Sequence, residues 1–251
     1  MKNILAIDIG NTRTKWGVHD GCAWIEQGAV ETLQISAFAE QLKHNKNINI
    51  INNIAISSVA DKSIAQALIK QLQFADAEII SVEPRAQQCG VINHYDTPWQ
   101  LGSDRWCALI ASHQLHQGHA LVVMAGTAMT VDALTADGHF LGGMIVPGLS
   151  LMQDSLRTRT AQLRPEVGAY QAFPTHTQDA IHSGIISASL GAIANARAAM
   201  QAAGHSHPTC IISGGGASWL APHLAEPVMR IDNLVLEGLL HIAQAESAGS
   251  K

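Results

Sequence analysis

The sequence predicts an α/β protein made of two related lobes, and two observations carry that prediction. A strand, Gly-Thr loop, strand pattern occurs twice, as Ile4-Leu5-Ala6-Ile7-Asp8-Ile9-Gly10-Asn11-Thr12 and as Leu121-Val122-Val123-Met124-Ala125-Gly126-Thr127. Elsewhere, short apolar runs alternate with segments of helical period, as strands and helices in alternation do. Each repeated apolar run is long enough for a buried strand and ends in small residues, whose backbone N–H groups can face a phosphate without side-chain obstruction. Two such loops predict a clamp that holds one nucleotide from both sides.

In order, Ile4 to Asp8, Thr14 to Val18 and Ala23 to Glu31 read as a three-strand meander, with His19-Asp20-Gly21 as a tight turn. Ser36 to His44 has helical period. Ile54 to Ser58 and Glu78 to Val82 read as buried strands separated by a helix from Ala60 to Gln73. Ser103 reads as an N-cap, with Asp104 and Arg105 opening a helix that runs to about His116 and ends the first lobe. The second meander takes Ala120 to Met124, Met129 to Leu134 and Phe140 to Val146, with Ala136-Asp137-Gly138 in the place of the earlier turn. Helices follow at Leu149 to Thr158 and around Thr177 to Ala203. Thr209 to Ser213 is then a short strand entering Gly214-Gly215-Gly216, and Asn233 to Gln244 is a C-terminal helix. The lobes predicted are residues 1–117 and 118–251.

A chain of 251 residues can bury a full core. With 47% hydrophobic and 14% charged residues, it reads as a compact enzyme with room for an oligomer interface. A formal net charge of -5 and the absence of a Lys or Arg run remove the electrostatic footprint of a nucleic-acid binder. Cys22, Cys89, Cys107 and Cys210 form no C-x-x-C pair and read as small core residues in a reducing compartment. The N-terminal apolar run meets Asp8 too early for a signal peptide, and no apolar span is long enough for a membrane helix, so the expected location is the cytoplasm. The 13 histidines show no metalloprotease spacing. Trp16, Trp24, Trp99, Trp106 and Trp219 read as core or interface residues, with Trp99 and Trp106 flanking the Gly102 to Arg105 segment.

The segment Asp8, Ile9, Gly10, Asn11, Thr12, Arg13, Thr14, Lys15 places a carboxylate at a strand end, then a turn of small residues, then a lysine on the returning strand. Those are the parts a Mg-nucleotide requires. Turn N–H groups and the Thr12 hydroxyl would bind phosphate oxygens, Lys15 would act as a point charge, and Asp8 would hold Mg²⁺ through water. A single such turn is as readily an ordinary hairpin turn, because Asn and Gly favour turns on conformational grounds. The second copy tips the balance towards phosphate: Gly126-Thr127-Ala128 would meet its far side, and Gly214-Gly215-Gly216 would let the adenosine lie close to backbone. Walker A and Rossmann patterns are both absent from the sequence.

In order and spacing, Asp8 to Lys15, Gly102-Ser103-Asp104-Arg105, Gly126-Thr127-Ala128-Met129-Thr130-Val131-Asp132 and Gly142-Gly143-Met144-Ile145-Val146-Pro147-Gly148 resemble the motifs of type III pantothenate kinases. Tyr95 with Pro98 and Leu101, Thr177 to Gly184, and Gly214 to Ala217 extend the resemblance over nearly the whole chain. It implies two ribonuclease-H-like lobes in the fold of actin and the acetate and sugar kinases, with ATP in the interlobe cleft. It further implies phosphorylation of pantothenate, the first committed step of coenzyme A synthesis, by a homodimer that builds each pantothenate site from both subunits. Asp104 would be the general base. Tyr95, Gly102, Ser103, Arg105 and, from the neighbouring subunit, Thr177 would hold pantothenate, Arg105 suiting its carboxylate.

One position departs from the pattern: Met124 stands where many family members carry an acid that helps to hold potassium or ammonium. A thioether is a poor ligand for a hard cation, and Met124 by itself reads as a core methionine at a strand end. Two rival readings remain at this level, a nucleotide-binding accessory protein with weakened catalysis and a kinase of another small alcohol. Asp8, Lys15 and Asp104 speak against the first, and Tyr95, Arg105 and Thr177 against the second.

Overall fold

In the computed structural model, residues 3–43, 51–72, 77–159 and 168–249 are described. The chain forms two compact units, Met1–Leu115 with Asn233–Lys251, and His116–Asp232. The first unit contains β1 (Ile4–Ile9), β2 (Arg13–His19), β3 (Trp24–Glu31), α1 (Ile35–Lys43), β4 (Asn53–Ser58), α2 (Lys62–Leu72), β5 (Glu78–Ser81), β6 (Gln87–Gln88), β7 (Val91–Asn93) and α3 (Ser103–Leu115). The second contains β8 (Ala120–Ala125), β9 (Ala128–Leu134), β10 (His139–Pro147), α4 (Leu149–Arg159), α5 (Thr177–Ala202), β11 (Thr209–Ser213), α6 (Ala217–Leu220) and β12 (Val228–Arg230), and α7 (Leu234–Gly249) follows it.

The first unit orders its strands β3-β2-β1-β4-β5. The meander β1 to β3 is antiparallel, whereas β4 and β5 join β1 in parallel. Side chains alternate along β1. Leu5, Ile7 and Ile9 therefore share a face, and they pack with Phe38 and Leu42 of α1 and Leu68 and Leu72 of α2. Asp8 belongs to the opposite set, on the side where α7 packs against β1, β4 and α3. The second unit repeats this topology, with β8, β9, β10, β11 and β12 in the places of β1 to β5. Its core joins Leu121, Val123 and Ala125 of β8 to Ile186, Ile193 and Met200 of α5.

Both predicted meanders are present, with several ends extended by one residue and β3 beginning one residue later. The first turn sits slightly later than predicted, because the Asp20 carboxylate gathers the N–H groups of Cys22 and Ala23, each at 2.8 Å. The helices foreseen around 177–203 are one helix, α5. The sequence pattern groups residues 118–251, whereas the packing of α7 places Asn233–Lys251 with the first unit. That packing is close: a Cβ on Gly238 would lie 2.0 Å from the Cys107 carbonyl oxygen. The predicted helix 60–73 begins at Lys62, and Gln73 and His44 lie outside the described residues. Cys107 and Cys210 are buried as expected, whereas Cys22 is exposed in the turn. Trp106 is buried, but Trp99 is 75% exposed and lies outside the core. Among the described residues, no helix is long and apolar enough to cross a membrane.

Candidate active site

The chemistry of the first unit gathers where β1, β4 and α3 meet. In the sheet register Asp8 lies between Lys15 of β2 and Ser57 of β4. Asp8 Oδ1 is buried without a hydrogen-bond partner. Burial pushes the Asp8 carboxyl up to about 7, and the negative charge of Asp104 adds to the rise; Lys15 and the neighbouring Ser57 hydroxyl oppose it. An unsatisfied carboxylate oxygen is a hard donor and fits a divalent cation. Among the described residues no three His, Cys, Asp or Glu side chains cluster to hold a metal. A cation at Asp8 would therefore take most ligands from water and phosphate oxygens, as Mg²⁺ commonly does.

Beyond Asp8 the chain turns sharply. Gly10 N–H donates to the Arg13 carbonyl at 3.1 Å, and a Cβ on Gly10 would lie 2.9 Å from that oxygen. Asn11, Thr12 and Arg13 are exposed at the tip, while Thr14 returns into the core. Thr32, the residue after β3, closes the loop from behind. Its N–H donates to the Thr12 carbonyl at 3.0 Å and its hydroxyl to the Gly10 carbonyl at 2.7 Å.

Asp104 lies in the first turn of α3. Ser103 does not cap that helix as predicted. Its hydroxyl is taken up by β4, accepting from Ser58 N–H and donating to the Ser58 carbonyl, both at 3.1 Å, and lying 3.0 Å from the Ser57 hydroxyl. One pair of serines thus joins the strand beside Asp8 to the helix that carries Asp104. Asp104 Oδ1 accepts the Arg105 N–H at 2.8 Å. Burial raises its carboxyl above the usual range, opposed by the Arg105 amide and guanidinium. The carboxylate folds over Gly102, where a Cβ would lie 2.5 Å from Oδ1.

Arg105 is buried and donates through Nη1 to the Tyr95 hydroxyl at 2.9 Å, with its guanidinium 5.7 Å from the ring centroid. Asn93 shapes the loop beneath them, accepting from Tyr95 N–H at 3.1 Å and donating to the Pro98 carbonyl at 3.2 Å. Trp106 turns away into the core, where Nε1 donates to Gln88 Oε1 at 2.9 Å. It therefore does not wall the site as its sequence position suggests.

In the second unit Gly126 N–H donates to the Ala128 carbonyl at 3.1 Å, the counterpart of the Gly10 turn, and Gly126 and Thr127 are exposed at the tip. Gly214 follows β11 with φ +98, and a Cβ there would lie 2.6 Å from the Ala125 carbonyl oxygen. Gly216 N–H donates to that same oxygen at 2.9 Å, so the triplet lies against the end of β8 and leaves Gly215 exposed. Met124 is half-buried opposite Thr130 and Ser213, and Thr130 Oγ1 is buried without a partner. Thr177 opens α5, exposed, on a groove it shares with Pro147, Leu151, Ile181 and Ile185.

The structure thus brings Asp8 to Lys15, Gly102 to Arg105 and Tyr95 together in the first unit, and Gly126 and Thr127 with Gly214 and Gly215 in the second. Ser57, Thr32 and Asn93 escaped the sequence reading. For Ser57 a signal exists: polar residues closing a buried parallel strand mark the sheet end where α/β proteins bind ligands.

The profile of the type III pantothenate kinases matches residues 4–215. The chain is 44% identical over 247 residues to a type III pantothenate kinase of Nitrosospira multiformis, covering 97% of this chain and 92% of that one. It is 41% identical to a type III pantothenate kinase of Dechloromonas aromatica, covering 96% and 98%. MreB5 of Spiroplasma citri, solved with bound ADP, shares the fold at 10% identity and a TM-score of 0.56, covering 100% of this chain and 98% of that one.

Proposed function

The chain belongs to the type III pantothenate kinase family, enzymes of ATP-dependent pantothenate phosphorylation in coenzyme A biosynthesis, and on that premise we propose that Asp104 is the general base of the reaction and Asp8 the metal-bearing carboxylate. One observation carries this reading. The Ser57 and Ser103 hydroxyls tie α3, which carries Asp104, to β4, the strand beside the orphaned Oδ1 of Asp8, and Asp104 is close enough for its charge to raise the Asp8 carboxyl.

Phosphoryl transfer through a loose transition state leaves the attacking alcohol its proton until late, so a carboxylate that orients the hydroxyl and then accepts the proton suffices. Asp104 meets that requirement, fixed by the Arg105 amide and packed over Gly102. Arg105 pairs in fork geometry with the pantothenate carboxylate, and Tyr95 holds the guanidinium in place. Gly102 and Ser103 shape the floor. Asn11, Thr12, Arg13 and Lys15 receive phosphate oxygens on one loop, Gly126 and Thr127 on the other, and Gly214 with Gly215 lies against the adenosine. Mg²⁺, when bound, neutralises charge on the phosphate oxygens, and Asp8 would hold it through water.

Potassium or ammonium fits less well. Met124 offers no oxygen where the resemblance places an acid, which leaves the Thr130 hydroxyl as the unsatisfied donor nearby in register. The homodimer is part of the same reading. The groove along α4 and α5 would receive a second copy, to which Thr177 is contributed, and its apolar lining of Pro147, Leu151, Ile181 and Ile185 supports this.

The direct test is mass detection of 4'-phosphopantothenate from purified protein with Mg-ATP and pantothenate. Product is expected; its absence despite measurable ATP binding would favour an accessory protein or another alcohol.

A further inference from the structure

We propose that Thr32 is a positioning residue of the first phosphate loop, which it holds by its hydroxyl so that the loop amides face the nucleotide. This rests on the reading that the Gly10 to Lys15 segment takes the phosphates of ATP. Thr32 is 1% exposed, and its hydroxyl donates to the Gly10 carbonyl at 2.7 Å while its N–H donates to the Thr12 carbonyl at 3.0 Å. A threonine hydroxyl has one hydrogen to give. The Thr14 hydroxyl, 3.2 Å from that of Thr32 and fully buried, is therefore the donor between the two. The chain of hydroxyls runs from Thr14 through Thr32 to the loop.

Peptide planarity turns these bonds into an orientation. In a trans peptide the N–H points opposite to the carbonyl that precedes it. With the Gly10 and Thr12 carbonyls drawn towards Thr32, the amides of Asn11 and Arg13 point away from it. The Gly10 N–H closes the turn onto the Arg13 carbonyl. Two amides directed to one side form an anion-accepting concavity, and a buried threonine sets its direction.

The duplicated unit gives an independent comparison. Gly148 follows β10 as Thr32 follows β3, and its N–H donates to the Thr127 carbonyl at 2.9 Å, the counterpart of the bond from Thr32 to Thr12. A Cβ on Gly148 would lie 2.1 Å from the Gly126 oxygen and 2.5 Å from the Thr127 oxygen. At Gly148 the second loop leaves no room for a side chain, whereas the first admits a threonine whose hydroxyl adds a second bond, to the Gly10 carbonyl, beside the shared backbone one.

The test compares Thr32→Val, which keeps the shape and removes the hydroxyl, with Thr32→Ser, which restores it. In Thr32→Val the KM and Kd for ATP are expected to rise about tenfold, with the pantothenate KM within about twofold of wild type. Thr32→Ser should recover most of the loss. A folded Thr32→Val protein with wild-type ATP affinity would overturn the proposal. Should that variant fail to fold, Thr32→Ala also removes the hydroxyl, and wild-type ATP affinity in it would overturn the proposal equally. Lys15→Ala serves as the control. If it weakens ATP binding and the Thr32 variants do not, only the role of Thr32 fails; if neither does, the phosphate-loop reading fails with it.

Discussion

Asp8 and Met124 occupy the same position in the two halves of a repeated sheet. Asp8 lies next to the end of β1 opposite Lys15 and Ser57; Met124 lies next to the end of β8 opposite Thr130 and Ser213. Register, topology and the glycine turn that follows are shared, but the first half places a carboxylate and a lysine side by side where the second places a thioether and a hydroxyl. At this position charge is therefore confined to one unit, and the other carries neutral groups.

That asymmetry predicts the response to monovalent cations. Met124→Asp, which restores an oxygen donor beside the unsatisfied Thr130 hydroxyl, should lower the potassium concentration for half-maximal activation by about tenfold or more. The check is initial rate against potassium, ammonium and sodium for both proteins. Indistinguishable cation curves would mean that position 124 has no part in cation binding.

The Asp8 carboxyl makes stability depend on pH in an unusual direction. Its value rises from 3.8 to about 7 on folding, so between those values the folded state binds the proton more tightly than the unfolded one. The contribution of Asp8 is fully present below 3.8 and is lost as pH rises towards about 7. Asp104, also raised by burial, acts in the same direction. His19 and His241, lowered chiefly by burial, oppose both, so the effect must be isolated by difference. The melting temperature of wild type minus that of Asp8→Asn should fall between about pH 4 and pH 7. A difference independent of pH would contradict the burial assigned to Asp8.

Two glycines separate catalysis from stability. A Cβ at Gly102 meets the flexible Asp104 carboxylate, whereas one at Gly238 meets the rigid Cys107 backbone. Gly102→Ala should therefore lower kcat by about tenfold or more with stability changed by about 1 kcal/mol or less. Gly238→Ala should cost about 1–3 kcal/mol by forcing α7 away from α3. Thermal melts and steady-state rates on the same preparations check both. A fully active Gly102→Ala enzyme would show that the Asp104 rotamer does not matter.

The sequence made the meanders legible because a buried strand, a glycine turn and a returning strand are local patterns. It also exposed Asp8, Lys15 and Asp104, since charged residues beside small turns stand out from apolar surroundings. What stayed hidden depends on pairing across the chain. Thr32 meets Gly10 across 22 residues, and Ser57 meets Ser103 across 46, so no window could reveal either. Ser103 reads as a cap from local sequence for the same reason: β4 takes the hydroxyl that a free helix end would use. The strands β6 and β7, of two and three residues, are too short for a period. For α7, the apolar pattern predicts burial but not which sheet receives it; Gly238 settles that only when seen against Cys107.

The most direct test of the central claim is Asp104→Asn, assayed for 4'-phosphopantothenate by mass alongside calorimetric binding of ATP and pantothenate. Loss of turnover by about 10²-fold or more, with both ligands still bound and the melting curve cooperative, is the predicted result. Near-wild-type turnover in the folded variant would contradict it and remove Asp104 from the role of base.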